Sequence, residues 1–159
     1  MERKLELKDI AGYLPYGLKR MYLEEMFFGT ITKYDNVSFN GNKTIYRNYK
    51  PILRPLSYLY RTITHNGADV TPILELAKII DSEQDWELND DRGICEHFVF
   101  WYDKNIIGFC LCFEPNSTCE IPNQYKLFDY LHELKIDYRQ LIDNNLAVSV
   151  CDFPENPYN

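Results

Sequence analysis

Four side chains able to hold a soft metal ion crowd into one stretch of the sequence, Cys95-x-His97 followed by Cys110-x-Cys112. Side chains alternate along a strand, so each pair shares one face of its own segment. A hairpin joining the segments could assemble a Cys3His zinc site, or set a cysteine nucleophile beside a histidine base. The turn between them decides. With a two-residue loop at Lys104-Asn105, His97 lies opposite Cys112 and Val99 opposite Cys110, and all four groups gather on one side. With a three-residue loop, Asp103-Lys104-Asn105, Tyr102 lies opposite Ile106 and the set disperses. Cys110 and Cys112 then join Phe98 and Phe100, while Cys95 and His97 join Val99, Trp101, Phe109 and Leu111. The three-residue loop is favoured, since Asn105 tolerates the positive φ it needs and Lys104 does not tolerate the one the shorter loop needs. Zinc ligands also usually come from Cys-x2–4-Cys knuckles, not from Cys-x-Cys inside a β run. The expectation is a hairpin over about 94–113, apolar on both sides, its cysteines acting as small core residues and with no metal or other cofactor. A small zinc- or cysteine-dependent enzyme built on Cys95, His97, Cys110 and Cys112 is the alternative.

A second charged stretch could act by recognition. "DSEQDWELNDD" carries Asp81, Glu83, Asp85, Glu87, Asp90 and Asp91 around Trp86, with no basic residue. Like charges repel, so a solvated loop is the plain reading. Spread over a surface, the same carboxylates could imitate phosphate spacing and occupy the basic cleft of a nucleic-acid enzyme, with Trp86 as an aromatic anchor. "HELKI" at His132 begins like a metalloprotease helix, but Ile136 stands where the second histidine belongs, so His132 and Glu133 read as the polar face of a helix. His65 precedes Asn66-Gly67 and reads as a helix-end residue. The seven glycines are scattered, so neither a dinucleotide fingerprint nor a phosphate-binding loop is present.

The elements that would position these groups follow from punctuation and periodicity. Gly12, Pro15 and Gly17 suggest a brief helical turn before strands near Leu18–Leu23 and Phe27–Tyr34, and Asn40-Gly41 suggests a short hairpin between Val37–Phe39 and Thr44–Tyr46. Pro55 opens a predicted helix of about two to three turns, with Leu56, Leu59 and Ile63 on one face and Asn66-Gly67 as its stop. Thr71-Pro72 opens another, with Ile73, Ala77 and Ile80 on one side and the threonine hydroxyl as N-cap. Leu127, Phe128, Leu131 and Leu134 mark a third at helical spacing. Asp137-x-x-Gln140 announces a last helix closed by Asn144-Asn145, and "LAVSV" a final strand. The fold class is thus α+β, with an antiparallel sheet around the aromatic hairpin and several short helices packed on it. A single domain over 1–159 is expected, with 151–159 as an extended tail.

Composition bounds what this fold can do. A chain of 159 residues that is 45% hydrophobic and 15% aromatic can bury a core without disulfides or metal. Its formal charge of −7 opposes direct attraction to nucleic-acid phosphates or an anionic membrane surface. No apolar run reaches the roughly 18 residues of a membrane span, and "MERKLELKDI" lacks a secretory h-region, so a cytoplasmic setting with reduced thiols is expected.

"YLPYGLK", "YKPILRPLS", "HNGADVTPI" and "LIDNNLAVSV...ENPY" together resemble a group of small uncharacterised proteins encoded in phages and prophages of gut bacteria. The likeness follows the same order over most of the chain. It implies an accessory protein acting in the cytoplasm of a host cell, and it brings no activity, catalytic residue or ligand. Function is therefore expected to be that of a non-enzymatic protein-binding module, its partner a protein of host or phage, since exposed aromatic side chains supply most anchors at interfaces. An acidic inhibitor, a DNA mimic acting on a host nucleic-acid enzyme, is the alternative reading.

Overall fold

A computed structural model describes residues 3–26, 29–36, 49–113, 118–119, 121 and 124–158, and the hairpin expected around Asn40-Gly41 lies outside them. In chain order its elements are α1 (Leu7–Ile10), β1 (Lys19–Met26), β2 (Gly29–Asn36), β3 (Tyr49–Leu53), β4 (Ile63–His65), β5 (Ala68–Val70), α2 (Pro72–Ile80), β6 (Glu87–Asn89), β7 (Arg92–Ile94), β8 (Phe98–Asp103), β9 (Gly108–Phe113), β10 (Thr118–Cys119), α3 (Gln124–Leu134) and β11 (Val148–Ser149). The fold is α+β. The chain forms two compact units, one from residues 1–55 and 135–159, the other from 56–134.

The first unit holds a four-stranded sheet of order β11-β3-β1-β2, in which β11 runs parallel to β3 and the other pairs are antiparallel. The helical turn anticipated near Gly12 is α1 followed by a 3-10 stretch, Ala11–Tyr16, and Gly17 at φ 68 ends it because glycine alone enters that region without steric cost. Ile10, Tyr13, Leu18, Ile52, Leu53, Leu141 and Val150 form the core of this unit. The Tyr13 hydroxyl donates to the Ile136 carbonyl at 2.9 Å, so its polar tip is satisfied within that core. Arg54 and Ile136 form a parallel bridge, where the Arg54 N–H donates to the Lys135 carbonyl and the Asp137 N–H to the Arg54 carbonyl, each at 2.8 Å.

Two expectations for this unit change. Residues 138–145 form successive turns, not a helix. Asp137 caps them with both oxygens, accepting from the Leu141 and Ile142 N–H at 2.9 and 2.7 Å, but Gln140 at φ 59 breaks the helical path. The closing of the segment by a left-handed asparagine holds, at Asn145 with φ 58. The last residues, which the sequence suggests trail away, fold back: Val150–Asp152 form a 3-10 turn, and the Tyr158 hydroxyl accepts from the Lys19 N–H at 2.9 Å and donates to the Ile52 carbonyl at 2.7 Å.

The second unit is built on a five-stranded antiparallel sheet of order β10-β9-β8-β7-β6. One face carries Phe100, Tyr102, Phe109 and Leu111, all buried, and both helices pack there. Phe128 of α3 meets Phe109 with ring centroids 5.6 Å apart. Gly93 lies so close to α2 that an added Cβ would sit 3.7 Å from the Ala77 Cβ. The helix starts at Pro72 as predicted, but the Thr71 side chain makes no cap; its hydroxyl lies 3.3 Å from that of Thr62. The helix expected from Pro55 shrinks to a 3-10 stretch, Leu56–Tyr60. Asn66-Gly67 does not stop it but turns the β4–β5 hairpin, with φ 52 and 79, the two positive values a type I′ turn requires.

Candidate functional site

The two cysteine-bearing segments meet in a register that neither loop length anticipates. Phe98 pairs with Phe113, Val99 with Cys112, Trp101 with Cys110 and Asp103 with Gly108, so the loop is Lys104 to Ile107, four residues long. Cys110 and Cys112 therefore stand on the Val99 and Trp101 side, away from α2 and α3, and not with Phe98 and Phe100. The reason lies at Asp103, whose Oδ1 accepts the Asn105 N–H at 2.8 Å. That Asx turn keeps Asn105 out of the left-handed region and passes the positive φ to Ile107, at 49°.

Cys95 and His97 are separated from the thiols by a turn that the sequence reading missed. The Cys95 N–H donates to the Phe98 carbonyl at 3.0 Å, and Gly93 and Ile94 pair with Phe100 and Val99. Glu96-His97 is thus the two-residue loop of a β7–β8 hairpin, with both side chains exposed, and Cys95 directly follows β7. The tetrad does not assemble: among the described residues no three of His, Cys, Asp and Glu are grouped to hold a metal ion. Burial, and after it the Asp103 charge, pushes the Cys110 thiol above its usual value of 9.0, which opposes use as a thiolate nucleophile.

The acidic stretch is half loop and half hairpin. Glu87–Asn89 and Arg92–Ile94 pair across a turn at Asp90-Asp91, with Asp90 at φ 51. Glu83, Asp85, Glu87, Asp90 and Asp91 are exposed, whereas Asp81 is half-buried and accepts the Glu83 N–H. Trp86 is not available as an anchor. It is 7% exposed, donates its indole N–H to the Asp81 carbonyl at 2.9 Å, and lies 6.4 Å from the rings of Phe98 and Phe100. Burying its ring area outweighs any gain from leaving it on the surface.

Three arrangements could not be read from spacing. His65 Nε2 lies 2.9 Å from Glu133 Oε1, joining the β4–β5 hairpin to α3 across a long stretch of sequence, with the Asn66 amide 3.1 Å from the same ring nitrogen. The adjacent Tyr130 hydroxyl is pushed up to about 12 by burial, and further by the charges of Glu75 and Glu133, so it stays protonated. The His65 Nε2 position is thus taken up by its neighbours. In the first unit the Tyr158 ring is faced by Lys19, Arg54 and Lys135 at 5.7, 5.4 and 5.3 Å, with Arg54 itself 2% exposed. Burial raises the Tyr158 hydroxyl well above its usual range. The group acts as a latch for the C-terminal residues.

The third arrangement is the tip of the β8–β9 hairpin. Its base is fixed on one side by the Asx turn of Asp103 and on the other by Gln124, whose Oε1 accepts the Phe109 N–H at 3.1 Å over buried Gly108. From this base Ile106 and Ile107 project, 63% and 49% exposed, and Tyr125, next to the clamping Gln124, is 65% exposed. Held in place and apolar, the two isoleucines can fill a pocket on another surface, with the Tyr125 ring beside the residue that clamps them. No protein-family model, curated protein or solved structure matches the chain. Among the described residues no helix is long and apolar enough to cross a membrane.

Proposed function

We propose that this chain is a non-enzymatic protein-binding module that docks through the tip of its β8–β9 hairpin. The observation that carries the reading is Ile107, a β-branched residue held at φ 49 with half its surface exposed. Such a residue costs roughly 1–2 kcal/mol in that conformation, and strain of this kind collects where a surface is shaped for recognition. Two adjacent isoleucines on a clamped turn lose little freedom on binding, which favours them as anchors. The acidic balance of the chain, −7 overall, suits a partner with a basic rim around an apolar pocket. In the setting that the sequence resemblance implies, that partner is a host or phage protein. The reading as an acidic inhibitor lacks the aromatic anchor it relied on, because Trp86 is buried.

A photoreactive phenylalanine analogue placed at Ile106, and separately at exposed Leu7, tests this in a lysate of the host cell. Capture of one discrete protein from position 106 and not from position 7, with loss of that protein when Ile107→Asp is added, is the expected result; one missing large anchor usually costs about 2 kcal/mol or more. Equal capture from both positions, or none from 106, removes the proposal.

A further inference from the structure

Cys110 and Cys112 remain after the docking surface has been accounted for. They occupy successive same-face positions of β9, half-buried, on the side of the sheet away from the helices. Across from them on β8 stand Trp101 and Val99, and beyond Trp101 the Arg92 guanidinium lies over the indole, 5.8 Å from its centroid. We propose that the two thiols form a two-coordinate site for a soft monovalent cation, copper(I).

The spacing selects this chemistry over the alternatives. Two residues along a strand advance by roughly 6.6 Å, whereas a disulfide needs its Cβ atoms about 4 Å apart, so the pair does not close into one without distorting the strand. A linear sulfur–metal–sulfur unit spans about 4.6 Å, twice a metal–thiolate bond of about 2.3 Å, and rotation about the two Cα–Cβ bonds brings the sulfurs to that separation with the backbone unchanged. Zinc sites want three or four protein ligands and iron–sulfur clusters four, and no third metal-binding side chain of the described residues joins these two. Soft thiolates without further ligands favour copper(I).

The binding step is an exchange of protons for metal. Two S–H bonds break, two S–Cu bonds form, both protons leave to solvent, and the bound unit carries one net negative charge with no change of oxidation state. Arg92, two strands away beyond Trp101 on the same face, offsets part of that charge; Asp103, whose carboxylate bears on Cys110, opposes it. Half-burial of both thiols limits the water that would otherwise compete for the ion.

The test is an anaerobic titration of the reduced full chain with copper(I), in competition with bicinchoninate, followed by sulfur-to-copper absorption in the near ultraviolet and by indole emission. The expected result is one ion per chain, two protons released per ion, and quenching attributable to Trp101, which Trp101→Phe abolishes without changing the stoichiometry. Cys110→Ser and Cys112→Ser each weaken binding by about 100-fold or more, in line with the loss of a ligand, while Cys95→Ser and Cys151→Ser leave it unchanged. Far-ultraviolet circular dichroism of each variant separates lost binding from lost folding. X-ray absorption showing two sulfur neighbours supports the site. Failure of the chain to compete with the chelator, retention of the ion by Cys110→Ser, or one ion shared between two chains overturns it.

Discussion

Ile107 is the one β-branched residue at positive φ among the described residues. Its positive φ follows from Asp103 taking the Asn105 N–H, and nothing in the amino-acid type favours it. Replacing Ile107 with glycine is expected to stabilise the fold by about 1 kcal/mol, read as a rise of a few degrees in the thermal midpoint, because glycine enters that region freely. If the tip is the docking anchor, the same variant binds its partner more weakly while being the more stable protein. Trp86→Phe is expected to cost about 2–3 kcal/mol in urea unfolding, since it removes the hydrogen bond to the Asp81 carbonyl and leaves a void beside Gly93 and Phe100. At this scale the sequence was informative where one residue acts alone, as with Asn145. It was silent where a neighbour decides, as when the Asp103 carboxylate moved the left-handed position from Asn105 to Ile107.

Among the elements, the two long amphipathic helices, α2 and α3, were legible from apolar spacing, and the turns were not. Asn66-Gly67 is a strong hairpin signal that was read as a helix stop because Leu56, Leu59 and Ile63 mimic helical spacing; β-branched Ile63 and Thr64 were the clue to a strand. Gly67 has open space where a Cβ would go, so Gly67→Ala tests its φ of 79 alone and is expected to cost about 1 kcal/mol. Glu96-His97 went unread as a turn since neither residue is a usual turn former, and this alone separated Cys95 from the sulfurs of β9. The Asp137 loop makes a pH prediction. Burial raises the folded Asp137 carboxyl above its usual 3.8, although the Ile142, Leu141 and Arg139 N–H groups partly offset this. The fold therefore holds that proton more tightly than the unfolded chain does. Its contribution to stability is greatest below 3.8 and declines as pH rises through the folded value. Urea midpoints measured against pH are expected to show this downward component in the wild type and its loss in Asp137→Asn.

For the molecule as a whole, the run of predicted strands and helices placed the fold class correctly, and local patterns could not disclose that the chain divides into two units. Such a division rests on pairings of distant residues, such as Arg54 with Ile136 and Tyr13 with Ile136, which leave no local signal. The second unit is continuous in sequence and has its own core of Leu59, Ile73, Leu76, Phe100, Phe109, Leu127 and Leu131. Residues 56–134 expressed alone are expected to unfold cooperatively and to keep the near-ultraviolet signal of the Trp86, Phe98 and Phe100 cluster; a featureless spectrum would show that this core needs the rest of the chain. The Arg54–Ile136 bridge also sets an order of events during synthesis. The early strands β1 and β3 cannot gain β11, nor Tyr13 its carbonyl acceptor, until the ribosome has released residues beyond Ile136. The middle of the polypeptide can condense while the opening third still waits, half-built, for the last 25 residues, 135–159.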